Sequence, residues 1–265
     1  MKELLDTAIA AAEIGGEVLL DYLPELKALK VEAKAEFDFV TQVDHAAEEA
    51  IAARIRDSFP EHQIIGEERG LSGSDESTRW IIDPLDGTTN YIHGVPNFAV
   101  SIAVEREKEI VAGVVFDPMS GELFSAMAGN GAFLNGQRIH VSDNTRLDQC
   151  LLATGFPFRR KDLAEVYLAS FKNFFGKVRD VRRLGAASID LAYVAAGRFD
   201  GFWEIGLGLW DFAAGLLLVR EAGGKVTGFT PGDNLWETGN ILATNQLIHS
   251  QLNDLLAPIF DLPAK

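Results

Sequence analysis

Two aspartates at one corner of the chain have the types and spacing to do chemistry. The stretch Trp80-Ile81-Ile82-Asp83-Pro84-Leu85-Asp86-Gly87-Thr88-Thr89-Asn90 begins as an apolar run that reads as a buried strand. It ends in Asp83 and Asp86, and Gly87-Thr88-Thr89 follows at once, which is the composition of a helix start. Such a corner sets hard carboxylate oxygens, which suit Mg²⁺, beside backbone N–H groups, which suit a phosphate oxyanion. Phosphate chemistry is the reading these residues favour.

Three further acidic groups sit where elements are expected to end. Glu67-Glu68 follows Ile64-Ile65-Gly66, Asp211 follows Trp210 at the start of an apolar helix, and Asp38 and Asp44 bracket Phe39-Val40-Thr41. Each alone has a plainer reading: a helix cap for Asp86 or Asp211, a solvated pair for Glu67-Glu68. Together they match what phosphate monoester hydrolysis demands, a rate enhancement of up to ~10²¹. Two Mg²⁺ ions roughly 3.5–4 Å apart clamp the phosphate and acidify a bound water.

Periodicity supplies the elements that must position these groups. Residues 3–22 carry apolar side chains at helical spacing up to Pro24, and 44–58 return to helix. Residues 24–38 read as a loop or irregular arm, and 70–78 as a surface loop between short strands at 63–66 and 80–82. Strands over 99–105, 110–116 and 122–126 form an antiparallel meander, and Asn135-Gly136 marks a tight turn. The second half starts near Asp143. It carries helices at about 162–175, 186–196 and 210–222, strands near 199–203, 224–227 and 240–244, and a last helix from 246. The mixture predicts a layered α+β or α/β sandwich.

Composition narrows the function. The 265 residues carry a net charge of −15, which argues against sequence-independent binding to nucleic acid or to an anionic membrane surface. The same charge opposes an anionic substrate unless bound cations intervene. A single cysteine, Cys150, allows no internal disulfide and reads as a buried small hydrophobe in a reducing compartment. The amphipathic N-terminus is no signal peptide, and no run of about eighteen apolar residues occurs, so a cytoplasmic protein is expected.

The segment from Asp83 to Tyr91 resembles the signature of the inositol monophosphatase family, and Trp210-Asp211-Phe212-Ala213-Ala214-Gly215, ending in Glu221-Ala222-Gly223-Gly224, resembles its second signature. Asp38 to Asp44, Gly66-Glu67-Glu68 and Gly131 to Gly136 also match, in family order, so the similarity covers essentially the whole chain. Leu151 to Phe158 and Asp190 to Arg198 look like the bacterial extragenic-suppressor branch. The resemblance implies one domain of αβαβα sandwich form, with lobes of about 1–143 and 144–265, and a homodimer. It implies hydrolysis of inositol monophosphate to inositol and phosphate by in-line attack of a metal-activated water, with no phosphoenzyme. The cofactor would be Mg²⁺, two to three ions, replaceable by Mn²⁺ and opposed by Li⁺.

Carried over by motif, Glu67, Asp83 and the Leu85 carbonyl would hold the first metal, and Asp83, Asp86 and Asp211 the second, with a third ion near Glu67. Thr88, fixed by Asp44, would orient the attacking water. Backbone N–H groups of Gly87 and Thr88 would bind phosphate, while Glu204, Asp86 and the backbone at Ala187 would meet substrate hydroxyls. Lys34 and Asp38 are candidates for the metal loop. The chain departs from the pattern at Gly208-Leu209, where relatives of the branch often carry a basic residue and proline, and at Ala186, where many have Ser or Thr.

Several alternatives stay open. The same metal residues would serve fructose 1,6-bisphosphate, a nucleotide 3′-phosphate or histidinol phosphate, because they grip the phosphate and ignore the leaving group. A protein-binding role with the transcription machinery is a reading of a different class. His93 fits either the mouth of the site or the surface, Arg182-Arg183 fits substrate, dimer mate or solvent, and Phe171, Phe174 and Phe175 read as core or interface packing.

Overall fold

Two helices open the chain, and their apolar stripes fix where they lie. The computed structural model describes residues 1–28, 31–35, 38–158 and 160–260, and only the backbone of those between 27 and 40. Helix α1 (Lys2–Tyr22) buries Leu4, Ala8, Ala11, Ala12 and Leu19, the i, i+4, i+7 stripe of an amphipathic helix. Residues Leu23–Ala28 make a 3₁₀ turn. Strands β1 (Val31–Ala35) and β2 (Asp38–Thr41) then pair antiparallel, so the arm read as irregular contains a two-stranded ribbon. Helix α2 (Gln42–Ser58) starts at a reciprocal cap: Val43 N–H donates to Thr41 Oγ1 at 3.1 Å, and Thr41 N–H donates to Asp44 at 2.9 Å.

The first sheet is built from β3 (His62–Gly66), β4 (Gly70–Ser72), β5 (Asp75–Asp86), β6 (Ala99–Arg106), β7 (Glu109–Asp117), β8 (Glu122–Met127), β9 (Gly131–Leu134) and β10 (Gln137–Ile139), with the short helix α3 (Thr88–Ile92) after β5. Its strand order is β10-β9-β8-β7-β6-β5-β3-β4, antiparallel except for the β3–β5 pair. The meander and the Asn135-Gly136 turn stand where the sequence placed them, with φ of 48° and 76° at the two turn residues. The loop expected over 70–78 is instead β4 and the start of β5. Its polar, mostly exposed side chains hide strand pairing at a sheet edge.

The second half adds β11 (Leu151–Thr154), α4 (Ala164–Phe175), β12 (Asp180–Arg182), α5 (Ala187–Ala195), β13 (Gly201–Glu204), α6 (Leu209–Glu221), β14 (Lys225–Thr227), α7 (Leu235–Thr238), β15 (Ile241–Thr244) and α8 (His249–Phe260). The five strands order as β12-β11-β13-β15-β14. Strands β11 and β12, like β9 and β10, are only three or four residues long and went unread as strands.

Alternation along the strands sorts side chains into layers. On β5 and β6, Trp80, Ile82, Val100, Ile102 and Val104 face α1 and α2, while Ile81, Ala99 and Ala103 face α5 and α6. On the second sheet, Ala153, Phe202 and Ala243 join that middle cluster, and Leu152, Trp203 and Leu242 face α4 and α8. The result is the expected αβαβα sandwich. Helix α6 lies between two sheets and is buried almost all round, which explains its run of apolar residues from Phe212 to Val219. Both middle helices begin at the same corner that ends β5.

Candidate active site

The corner at the end of β5 is made by a bulge. Asp83 pairs with Ser101 and Asp86 with Ala99, so three steps on β5 oppose two on β6. Pro84, with no N–H to give the ladder, occupies the extra length. Leu85 N–H donates to Asp83 Oδ1 at 3.0 Å, and the chain then turns through Gly87 at φ +94°. A side chain there would be strained and would press on the Asn97 carbonyl, 3.0 Å from an ideal Cβ.

Helix α6 brings the third carboxylate. Asp211 accepts the Gly208 N–H at 2.7 Å in the first turn, which fixes its orientation and sets a negative charge at the helix start. Oxygens of Asp83, Asp86 and Asp211 all lie within 4.8 Å of one another, and all three residues are buried. Burial pushes the Asp83 carboxyl well above its ordinary range, with the charges of Glu67, Asp86 and Asp211 adding to it. Burial raises Asp86 to about 6, against the pull of hydrogen bonds from Ser188 and Ala187. Such a group of buried, mutually repelling hard oxygens fits a divalent cation such as Mg²⁺ or Mn²⁺.

Glu67 reaches the same cavity from the end of β3. Its N–H donates to the Ile82 carbonyl at 3.1 Å. The buried carboxylate of Glu48 on α2 accepts the next two N–H groups, Glu68 at 2.8 Å and Arg69 at 3.1 Å, and clamps the loop. Thr88 Oγ1 lies 3.1 Å from the Leu85 carbonyl and 3.3 Å from Asp44 Oδ1. Asp44 Oδ2 takes both the N–H and the hydroxyl of Thr41, which leaves Oδ1 turned to Thr88.

Across a cavity of ≈ 270 Å³ stand the residues of the second half. Ala187 begins α5, and Ser188 gives Asp86 Oδ2 two hydrogen bonds, from its N–H at 2.7 Å and its hydroxyl at 2.5 Å. Glu204, at the end of β13, lies against Gly155 so closely that an ideal Cβ there would fall 1.9 Å from its Oε1. At the mouth, the Arg183 guanidinium carbon sits 5.6 and 5.8 Å from the ring centres of Phe156 and Phe158.

Glu67, Asp83, Leu85, Asp86, Gly87, Thr88, Ala187, Glu204 and Asp211, nine positions singled out in the sequence, all line this one cavity, and Asp44 stands directly behind Thr88. A family model described as the inositol monophosphatase family matches residues 1–261. The chain belongs to the inositol monophosphatase family. It is 51% identical over 246 residues to the Nus factor SuhB of Escherichia coli (strain K12), an alignment covering 92% of each protein. It is 44% identical over 250 residues to an inositol-1-monophosphatase of Mesorhizobium japonicum, covering 94% of each. The crystal structure of the extragenic suppressor protein suhB of Bartonella henselae superposes with a TM-score of 0.93 at 43% identity, covering 96% of this chain and 98% of that one.

Other sequence candidates fall elsewhere. The side chains of Lys34 and Asp38 lie outside the described residues. His93 is exposed and away from the cavity walls. Arg182 pairs with Asp180 at 2.6 Å, so only Arg183 of the basic pair meets the site. Phe174 is fully buried, whereas Phe175 is 74% exposed. Sequence reading missed Ser188, Asp190 and Glu48 as parts of the site. A hydroxyl and an acid inside the apolar run from Ala186 to Ala192 were the available signal for the first two. Glu48 gave none, since an acid in the middle of a helix reads as surface.

Proposed function

We propose that this inositol monophosphatase family member hydrolyses inositol monophosphate to inositol and phosphate with Mg²⁺ as cofactor. The observation that carries the reading is the meeting, in one cavity, of the buried Asp83, Asp86 and Asp211 carboxylates with Glu204 on the opposite wall. Glu67, Asp83, the Leu85 carbonyl, Asp86 and Asp211 would hold two to three ions, with Mn²⁺ an alternative. Bound there, the metal supplies positive charge to the phosphate oxygens and lowers the pKa of water.

The chain's own residues do the rest. The Thr88 hydroxyl, held between the Leu85 carbonyl and Asp44, orients the attacking water in line with the leaving oxygen. Glu67 stands at the cavity edge to accept a proton from that water. Backbone N–H groups of Gly87 and Thr88 bind phosphate oxygens. Asp86, Glu204 and the backbone at Ala187 meet hydroxyls of the leaving alcohol. Direct displacement fits the walls, whose described lining carries no cysteine or histidine, while the nearby Ser188 hydroxyl is already given to Asp86. Cys150 is buried elsewhere, its thiol pushed up to about 12 by burial.

The name inositol-1-monophosphatase borne by the Mesorhizobium relative supports the substrate class. A panel of inositol 1-phosphate, fructose 1,6-bisphosphate, 3′-phosphoadenosine 5′-phosphate and histidinol phosphate, with and without Mg²⁺, tests it. Preference for inositol 1-phosphate is expected, and preference for another member would replace the substrate while keeping the chemistry. The reading carries with it Li⁺ competition for the metal site, a homodimer and a cytoplasmic location.

The name Nus factor borne by the E. coli relative favours a second role, contact with the transcription machinery through protein surfaces. The net charge of −15 opposes direct RNA binding. A pulldown against RNA polymerase and its elongation factors tests this role; no enrichment over an unrelated acidic protein would sink it.

A further inference from the structure

One carboxylate in the cavity wall has no task in the scheme above. Asp190 lies on α5, one turn beyond Ala187, and its neighbours along the helix, Ile189, Leu191 and Ala192, are all in the apolar core. The residue is 1% exposed, yet it lines the cavity. Its Oδ1 has no hydrogen-bond partner among the described residues.

Two ordinary explanations fail. Asp190 does not cap its helix: α5 starts after Ala186 with no side-chain cap, and the Asp190 N–H already donates to the Ala186 carbonyl at 3.1 Å. Nor does it belong to the metal group, which among the described residues comprises Asp83, Asp86 and Asp211. A buried acceptor left without a donor is costly, so its persistence in a cavity wall points to a donor that arrives with the ligand.

We propose that Asp190 is a specificity-determining residue whose carboxyl group accepts a hydrogen bond from a hydroxyl of the leaving alcohol, beside the hydroxyls read by Glu204. The inference rests on the phosphatase reading and narrows it to neutral polyol monophosphates. The charges on this wall agree. Asp86 and Glu204 both disfavour ionisation of the Asp190 carboxyl, and burial disfavours it more, with Arg183 opposing. A second phosphate on the leaving group would add negative charge beside Asp86 and Glu204, with Arg183 as the one basic side chain in the described lining. A hydroxyl meets no such penalty, because a carboxyl in either protonation state keeps an acceptor oxygen for it.

The test compares Asp190→Leu with Asp190→Asn on two substrates, inositol 1-phosphate and 4-nitrophenyl phosphate, whose leaving group has no hydroxyl besides the one released. Asp190→Asn keeps an acceptor oxygen of the same reach and is expected to stay within about threefold of wild type on both. Asp190→Leu is expected to lose about tenfold or more in kcat/KM on inositol 1-phosphate, chiefly through KM, and to change little on 4-nitrophenyl phosphate. Mg²⁺ affinity by calorimetry is expected to be unaltered in both variants. Equal losses on the two substrates, or a weakened Mg²⁺ titration, would assign Asp190 a structural role and overturn the proposal, as would an unchanged Asp190→Leu. If wild type hydrolyses neither substrate, the inositol monophosphate reading fails on its own. Titration of inositol 1-phosphate into Mg²⁺-loaded protein then decides: weaker binding by Asp190→Leu alone supports the proposal, and equal or absent binding overturns it.

Discussion

Replacing Asp83 by asparagine is expected to raise the stability of the metal-free protein. Oxygens of Asp83, Asp86 and Asp211 lie within 4.8 Å of one another. At that spacing two full charges repel by roughly 3–4 kcal/mol at an effective dielectric of ~20. Part of the repulsion is relieved by proton uptake, since burial and its neighbours hold the Asp83 carboxyl well above its usual range. The gain from removing one charge is therefore smaller, about 1–3 kcal/mol. Asparagine keeps the Oδ1 acceptor for the Leu85 N–H, so the bulge loses no hydrogen bond. At roughly 2–4 °C per kcal/mol for a chain of this size, the melting temperature in EDTA rises by about 2–12 °C. Saturating Mg²⁺ reverses the order, because binding stabilises wild type by mass action, about 2.7 kcal/mol at a hundredfold excess over Kd. The assay is a thermal melt of both proteins in EDTA and in MgCl₂. An Asp83→Asn protein that melts below wild type in EDTA, or that keeps the wild-type Mg²⁺ shift, would refute the electrostatic account of the cluster.

Three other outcomes are expected. Gly155→Ala forces Glu204 from its place, since an ideal Cβ would fall 1.9 Å from Oε1, and KM for inositol 1-phosphate rises by about tenfold with a smaller change in kcat. Glu48→Ala leaves the Glu68 and Arg69 N–H groups without their acceptor, costs about 1–3 kcal/mol and weakens Mg²⁺ binding through the loosened Glu67 loop, read by melting and calorimetry. Burial lowers His249 to about 4 between the Thr227 and Thr244 hydroxyls, so the folded state resists its protonation. The stability held by neutral His249 is complete above the unfolded value of about 6.5 and is lost as pH falls from there toward about 4. Denaturant melts across this window are expected to show a loss of about 1–2 kcal/mol after solvent screening, absent in His249→Gln.

The parts of the site legible in the sequence are those written in one stretch of chain. Asp83 to Thr88 announced a strand end, two acidic side chains and a helix start within six residues; the strand end and the helix start hold in the structure, and both carboxylates line one cavity. Asp211 was legible as an acid at the start of an apolar helix. What could not be read is what tertiary packing brings from far away. Ser188 meets Asp86 across 102 residues, and Glu48 clamps a loop 20 residues on. Asp190 sits in a run whose apolar neighbours mark only core. The fold shows the same division: long periodic helices and the meander were clear, while β4 and β12, three mostly exposed residues each at sheet edges, had no pattern to give them away. The hairpin at β1 and β2 was hidden by charge and alanine, poor strand formers held by pairing.

The central claim is that the acidic corner performs phosphate hydrolysis. Its most direct test is phosphate release from inositol 1-phosphate by wild type and Asp83→Asn, each with Mg²⁺ and with EDTA. The account predicts Mg²⁺-dependent release by wild type and a loss of orders of magnitude in kcat for Asp83→Asn, with the fold intact by circular dichroism. Near-normal, Mg²⁺-dependent release by Asp83→Asn would contradict it.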